Sequence, residues 1–208
     1  MVRCMENLKE LLNEKQYEAV TSTSKYLRII AGAGSGKTRV LTYRIAYLID
    51  TFGYYPSSIL AITFTNKAAQ EIRERIEKAL NMGHLRMNIS TFHSFCSRVL
   101  REDCKAINYP ASFSIIDEDD QKKIVKEIIK EKEMDEKQLK ISNCLDFIAG
   151  KKNKGITPEQ ALWQTQQYYG AHQKAIIYQA YQDYLIKNFA MDFDDLIYIQ
   201  LKFLKNIL

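Results

Sequence analysis

Chain breakers and cross-links are scarce in this sequence: 3 prolines, 8 glycines and 4 cysteines stand among 208 residues. That scarcity excludes collagen-like and low-complexity chains, and no repeat or biased tract is present. Cys4, Cys96, Cys104 and Cys144 form no C-x-x-C pair and have no histidine at metal-ligand spacing. Reduced, mostly packing thiols are expected. Cys96 and Cys104 lie eight residues apart in an expected helix, hence on one buried face. No apolar run approaches about 18 residues. The first residues, Met-Val-Arg-Cys-Met-Glu-Asn, lack the apolar centre of a signal peptide. A cytoplasmic protein with no membrane partner is expected. Charge bias is slight too: a net charge of +5 permits a polyanionic partner without demanding one.

What is present is a hydrophobic content of 46%, enough for a real core in one or two domains. Up to about residue 112, short β-rich runs alternate with amphipathic stretches, the pattern of βαβ units and a parallel sheet. Strands are predicted at 27–30, 59–64 and 87–91, and helices at 37–50, 66–80 and 93–104. Beyond residue 112 strand signals almost stop, apart from 114–116, and helix starts take over. Asp117-Glu118-Asp119-Asp120 places acids on an amino-terminal turn ahead of an Ile124, Ile128, Ile129 stripe. Thr157-Pro158-Glu159-Gln160 combines an N-cap, proline at the first helical position and glutamine three after the cap. The organisation expected is a sheet domain over 1–112, a helical domain over 113–190 and a return helix over 191–208.

Residues 31–38, Ala-Gly-Ala-Gly-Ser-Gly-Lys-Thr, match the phosphate-loop pattern G-x-x-x-x-G-K-[ST] except for Ala31. Gly32, Gly34 and Gly36 let the backbone bend so that successive N–H groups meet phosphate oxygens at a helix start, with Ala31, Ala33 and Ser35 completing the loop. Lys37 is expected at the β- and γ-phosphates and Thr38 at Mg²⁺, making these two the catalytic candidates of the loop and Thr38 its metal ligand. The bland alternative is a glycine-rich turn with a lysine after it. Against that stands the register, since lysine and threonine both fall where the motif needs them, behind a predicted strand.

The flanking blocks resemble the UvrD/Rep/PcrA family of superfamily 1 DNA helicases along nearly the whole chain. Leu12-Asn13-Glu14-Lys15-Gln16 is similar to the family's adenine-reading motif, with Gln16 as its glutamine, and Arg39 to a nucleotide-contacting arginine. Residues 61–69, containing Phe64, Thr65, Asn66 and Lys67, resemble motif Ia, and residues 90–95, containing Thr91, Phe92 and His93, resemble motif Ib. Both imply contacts to single-stranded DNA. Residues 113–117 and 191–196 resemble domain-junction segments. The resemblance implies an α/β fold: a partial RecA-like P-loop NTPase sheet with an inserted all-helical subdomain. It also implies ATP and Mg²⁺ as cofactors, and single-stranded DNA and its junction with duplex as partners.

Each of these residues has a local explanation as well. Asn13 and Gln16 make a capping box by themselves. Phe64 and Phe92 stand at strand ends, where aromatics are usually core. His93 suits a hydrogen-bonded helix start, whereas Lys67 opposes its helix dipole and so invites a nearby phosphate. The stretch 122–140 interleaves Lys122, Lys123, Lys126, Lys130 and Lys132 with Glu127, Glu131 and Glu133, the pattern of a solvated face. The linker-like segment 150–155 carries a basic turn, 151–154, which is the better candidate for a duplex phosphate.

A triphosphatase of this class needs an apolar strand ending in paired acids to hold Mg²⁺ and activate water. Only Asp194-Asp195 tempts, and Leu196, Ile199 and Phe203 follow it at helical spacing. Asp192 and Asp195 are therefore read as the cap and first turn of a terminal helix. In the resembled family the acidic strand comes soon afterwards, so an amino-terminal fragment is expected, with the carboxy-terminal motor domain as its missing partner and with negligible turnover. Two other readings stay open: a non-catalytic ATP- and nucleic-acid-binding module, and a small-molecule kinase. No arginine-rich lid supports the second.

Overall fold

Several helix starts in this chain are set by side chains that stand in for missing backbone acceptors. The computed structural model describes residues 7–135 and 139–207. Cys4, residues 136–138 within the lysine-rich stretch and Leu208 therefore lie outside the described residues, as does the side chain of Phe203. The described chain divides into two compact units between Phe92 and His93.

In the first unit α1 (Leu8–Leu11) and α2 (Glu14–Thr21) lead to α3 (Lys37–Asp50), β1 (Leu60–Thr63), α4 (Asn66–Leu80) and β2 (Asn88–Thr91). Thr65 caps α4 by accepting from the Ala68 N–H at 3.1 Å, and Asn81 ends it in the left-handed conformation at φ 50°. Ala69, Ile72, Ile76 and Leu80 fall on one face and join Val40, Ile45, Ala61 and Ile89 in the core. β1 and β2 run parallel, with Leu60 opposite Asn88 and Thr63 opposite Thr91. The fold is mixed α/β, mostly helical with small parallel sheets.

One predicted strand does not form. Residues 27–30, apolar apart from Arg28, form no strand, and Ile30 is 83% exposed. Composition marks them as strand-like, yet a strand exists only through its neighbours' hydrogen bonds, and none of the described residues pairs with them.

The second unit contains α5 (Phe92–Glu102, beginning on the last residue of the first unit), β3 (Ser114–Ile115), α6 (Glu118–Glu131), α7 (Ile141–Asn153), α8 (Pro158–Thr165), α9 (Tyr169–Lys187), β4 (Ala190–Met191) and α10 (Phe193–Ile207). Within the second unit α5 packs Cys96 and Leu100 against Phe113, Met191 and Leu196. Helix α5 also stops earlier than predicted. Cys104 starts a 3-10 turn closed by Asn108 at φ 57°, so it does not share a helix face with the buried Cys96. β3 and β4 pair in parallel, Ser114 opposite Ala190, and pin together the two ends of α6–α9. Ile124, Ile128, Cys144, Ile148, Ala161, Ile177 and Leu185 fill the core between those helices. Asp117 caps α6, and Thr157 and Gln160 form the expected capping box. Among the described residues no helix is long and apolar enough to cross a membrane.

The segment 150–155 is not a linker. Helix α7 continues to Asn153, and Gly155 at φ 68° follows it. Lys152 points inward, with its side chain only 1% exposed and its Nζ 2.7 Å from both Asp192 Oδ2 and Asp195 Oδ1. It is therefore removed from the candidate duplex contacts, and Lys151 donates to Gln164 Oε1. The Tyr181 hydroxyl also donates to Asp192 Oδ2, at 3.0 Å. The cap predicted for α10 forms, with the Asp195 N–H donating to Asp192 Oδ1 at 2.8 Å. Burial and the Asp192 carboxylate push the Asp195 carboxyl up against the pull of the Lys152 ammonium. Burial and Asp192 likewise hold the Tyr181 phenol in its protonated, donating form. Lys122 and Lys123 pair with Glu118 and Asp120 on a solvated face of α6, as expected.

Removing the ammonium strands two buried carboxylates. Lys152→Met is expected to cost roughly 3–5 kcal/mol of stability, read by urea denaturation. The neutral variant K152M/D192N/D195N should recover most of that loss.

Candidate nucleotide and nucleic-acid site

Two glycines give the loop its shape. Gly34 and Gly36 take φ of 73° and 83°, a region costly for residues with a Cβ. Gly36 is the N-cap of α3, and its carbonyl accepts from the Val40 N–H at 2.9 Å. Ser35 Oγ donates to the Gly32 carbonyl at 2.8 Å. Lys37 bends back, its Nζ donating to the carbonyls of Ala31 at 3.0 Å and Gly32 at 2.6 Å. Among the described residues no acceptor is recorded for the backbone N–H groups of 32–36. Ala33 and Thr38 are exposed beside them. The loop thus presents donors at a helix amino terminus, the chemistry that holds phosphate.

Gln16 makes both the local and the distant contact. Its Oε1 accepts from the Asn13 N–H at 3.2 Å, closing the capping box, while its Nε2 donates to the Ser35 carbonyl at 3.0 Å. Arg39 donates to the Leu11 carbonyl at 2.6 Å and lies over the Tyr43 ring at 5.8 Å. Gln16, the loop and Arg39 are therefore one cluster, within the first unit.

The second set of candidates gathers at the ends of two adjacent strands. Register pairs Thr63 with Thr91, so Phe64 and Phe92 leave neighbouring strands side by side. Phe64 is 94% exposed and Phe92 52%, unlike the core aromatics usual at such positions. Thr65, Asn66 and Lys67 are exposed around the start of α4. His93 starts the second unit and packs edge-on against Phe193, with ring centroids 5.3 Å apart. Sequence reasoning missed Phe193 and Tyr181, and it read Lys152 as part of an exposed basic turn. A usable signal existed for the last, since Cys144, Ile148 and Lys152 recur every four residues, and Cys144 and Ile148 are apolar.

A glycine loop that delivers free amides and a lysine to the start of a helix places this molecule in the phosphate-loop class of mixed α/β proteins. More narrowly, the chain belongs to the UvrD/REP helicase N-terminal domain family, whose profile matches residues 12–207. It is 44% identical over 193 residues to the ATP-dependent DNA helicase PcrA of Staphylococcus epidermidis, covering 93% of this chain and 26% of the relative. It is 45% identical over 186 residues to the ATP-dependent DNA helicase PcrA of Staphylococcus aureus, covering 89% and 25%. The chain thus spans about a quarter of the length of the curated relatives it matches.

A Cβ on Gly36 would lie 2.9 Å from Gln16 Nε2. The glutamine can swing away, but it then loses Ser35, and the left-handed backbone stays strained. Gly36→Ala is expected to lower stability by about 1–2 kcal/mol and to weaken binding of an ATP analogue, measured by urea denaturation and by titration.

Proposed function

We propose that this chain is the ATP-binding, strand-engaging amino-terminal part of a PcrA-type ATP-dependent DNA helicase. The observation that carries the reading is the cluster of Gln16, the 31–38 loop and Arg39 at the start of α3, linked by the Gln16–Ser35 hydrogen bond. In this reading residues 1–112 are part of a RecA-like motor domain, 113–190 an inserted helical domain, and 191–208 a return to the motor domain. The amides of 32–36 and Lys37 take the triphosphate, after Lys37 gives up the Ala31 and Gly32 carbonyls. Gln16 reads adenine from its capped position, and Arg39 leaves the Leu11 carbonyl to contact the nucleotide.

Thr38 is exposed at the second position of α3, which fits a hydroxyl ligand to Mg²⁺ bound together with phosphate. The ion would supply charge neutralisation between the phosphates. Asp195 is buried against Lys152, and Asp194 stands in the first turn of α10 rather than at the end of an apolar strand, so this pair does not fit the carboxylates that would share the ion. Hydrolysis by these residues alone should therefore be close to background.

Phe64 and Phe92 suit stacking on successive bases, Lys67 suits a phosphate of the same strand, and His93, in the second unit, is proposed as a strand contact in its own right. Single strands and their junction with duplex are the proposed partners.

The experiment is a titration of the 208-residue chain with a fluorescent ATP analogue and with a labelled oligo-dT. Lys37→Ala should abolish nucleotide binding without unfolding the chain, while robust DNA-stimulated turnover by this chain would overturn the reading of the acids. Oligo-dT binding should be weak and fall as salt rises. Phe64→Ala should remove about 1–3 kcal/mol of it.

A further inference from the structure

We propose that Lys152 is a positioning residue for His93, acting through Asp192, Asp195 and Phe193; the proposal rests on the strand-binding role given to His93 above. Asp192 and Asp195 bracket the first turn of α10, and Phe193 stands between them. The Lys152 ammonium bridges one oxygen of each carboxylate at 2.7 Å. The remaining oxygens take the backbone N–H groups of Asp195 at 2.8 Å and Asp192 at 3.4 Å. With Tyr181 adding a further donor at 3.0 Å, all four carboxylate oxygens are engaged. That turn aims the Phe193 ring, 48% exposed, at the His93 ring, with an interplanar angle of 87°.

A buried ion cluster is a poor means of adding stability, since apolar side chains of similar volume do as well or better. What the ionic cluster provides here is direction. Helix α7, which carries Lys152, is thus tied to His93 in the first turn of α5 by way of two carboxylates and two edge-on rings. Apolar packing of Cys96 and Leu100 on Met191 and Leu196 is the competing way to hold His93, and it does not involve Lys152.

The test follows the ring proton resonances of the 3 histidines, with His93 assigned by His93→Ala, alongside oligo-dT affinity. In K152M/D192N/D195N and in Phe193→Ala the His93 signal should lose its ring-current shift while those of His84 and His172 stay. Oligo-dT affinity should fall roughly 2- to 30-fold, and ATP-analogue affinity should be unchanged. A folded K152M/D192N/D195N protein with wild-type His93 signal and affinity overturns the proposal. So does an unmoved His93 signal in Phe193→Ala, which alters a half-exposed side chain and keeps the test valid if the neutral variant fails to fold. If His93→Ala binds oligo-dT as the wild type does, the strand-binding role of His93 fails. The resonance then decides the positioning alone: displaced in both variants it supports the route, unmoved it overturns it.

Discussion

One ammonium between two buried carboxylates organises the second unit. Lys152 comes from the end of α7, Asp192 and Asp195 from the β4–α10 turn, and Tyr181 from the middle of α9. Three elements distant in sequence meet on charges that cannot be left unpaired away from water. The parallel pairing of β3 with β4 closes the same region from the backbone side. Because Asp192 is both the cap of α10 and the partner of Lys152, the direction of that helix and the seating of α7 are a single constraint. The same contacts occupy the carboxylate oxygens of both acids, with the Lys152 ammonium on one oxygen of each and backbone N–H groups on the others.

The first unit obeys a looser rule. Its loop is held by hydrogen bonds that a ligand can replace: Lys37 on two carbonyls, Arg39 on another, Gln16 on Ser35. Each of these three side chains donates to a neutral carbonyl in the free protein, a partner that yields to a charged phosphate or to a base edge. Gln16 is the exception in one respect, because its Oε1 is also spent on the cap of α2. The glutamine is therefore oriented before any ligand arrives, which lowers the entropy of ordering it on binding.

Local chemistry explains why so much was legible in the sequence. Glycines with left-handed backbone, a capping box at Asn13 and another at Thr157, and the apolar stripe of α4 are each written within a few residues. Helices at 37–50 and 66–80 follow directly, as does the loop between the apolar run and α3. Residues 27–30 show the limit. Their side chains are those of a strand, but pairing belongs to neighbours, and the ladder is absent among the described residues. Cys104 shows another, since a left-handed Asn108 redirects the chain just where the helical pattern invites extension.

The clearest misreading concerns the basic segment at 151–154. Glycine at 150 and 155 with three lysines between them has the composition of a solvated linker, which outweighs the four-residue spacing that sets Lys152 on the face of Cys144 and Ile148. By itself the sequence determined the phosphate loop, its flanking caps and the family, because those depend on residue types at short, fixed spacing. The tertiary structure alone decided the roles of Lys152, Asp192 and Asp195. Whether a charge faces solvent or a buried partner depends on residues forty positions away, as Lys152 and Asp192 are, and local pattern carries no information about that distance.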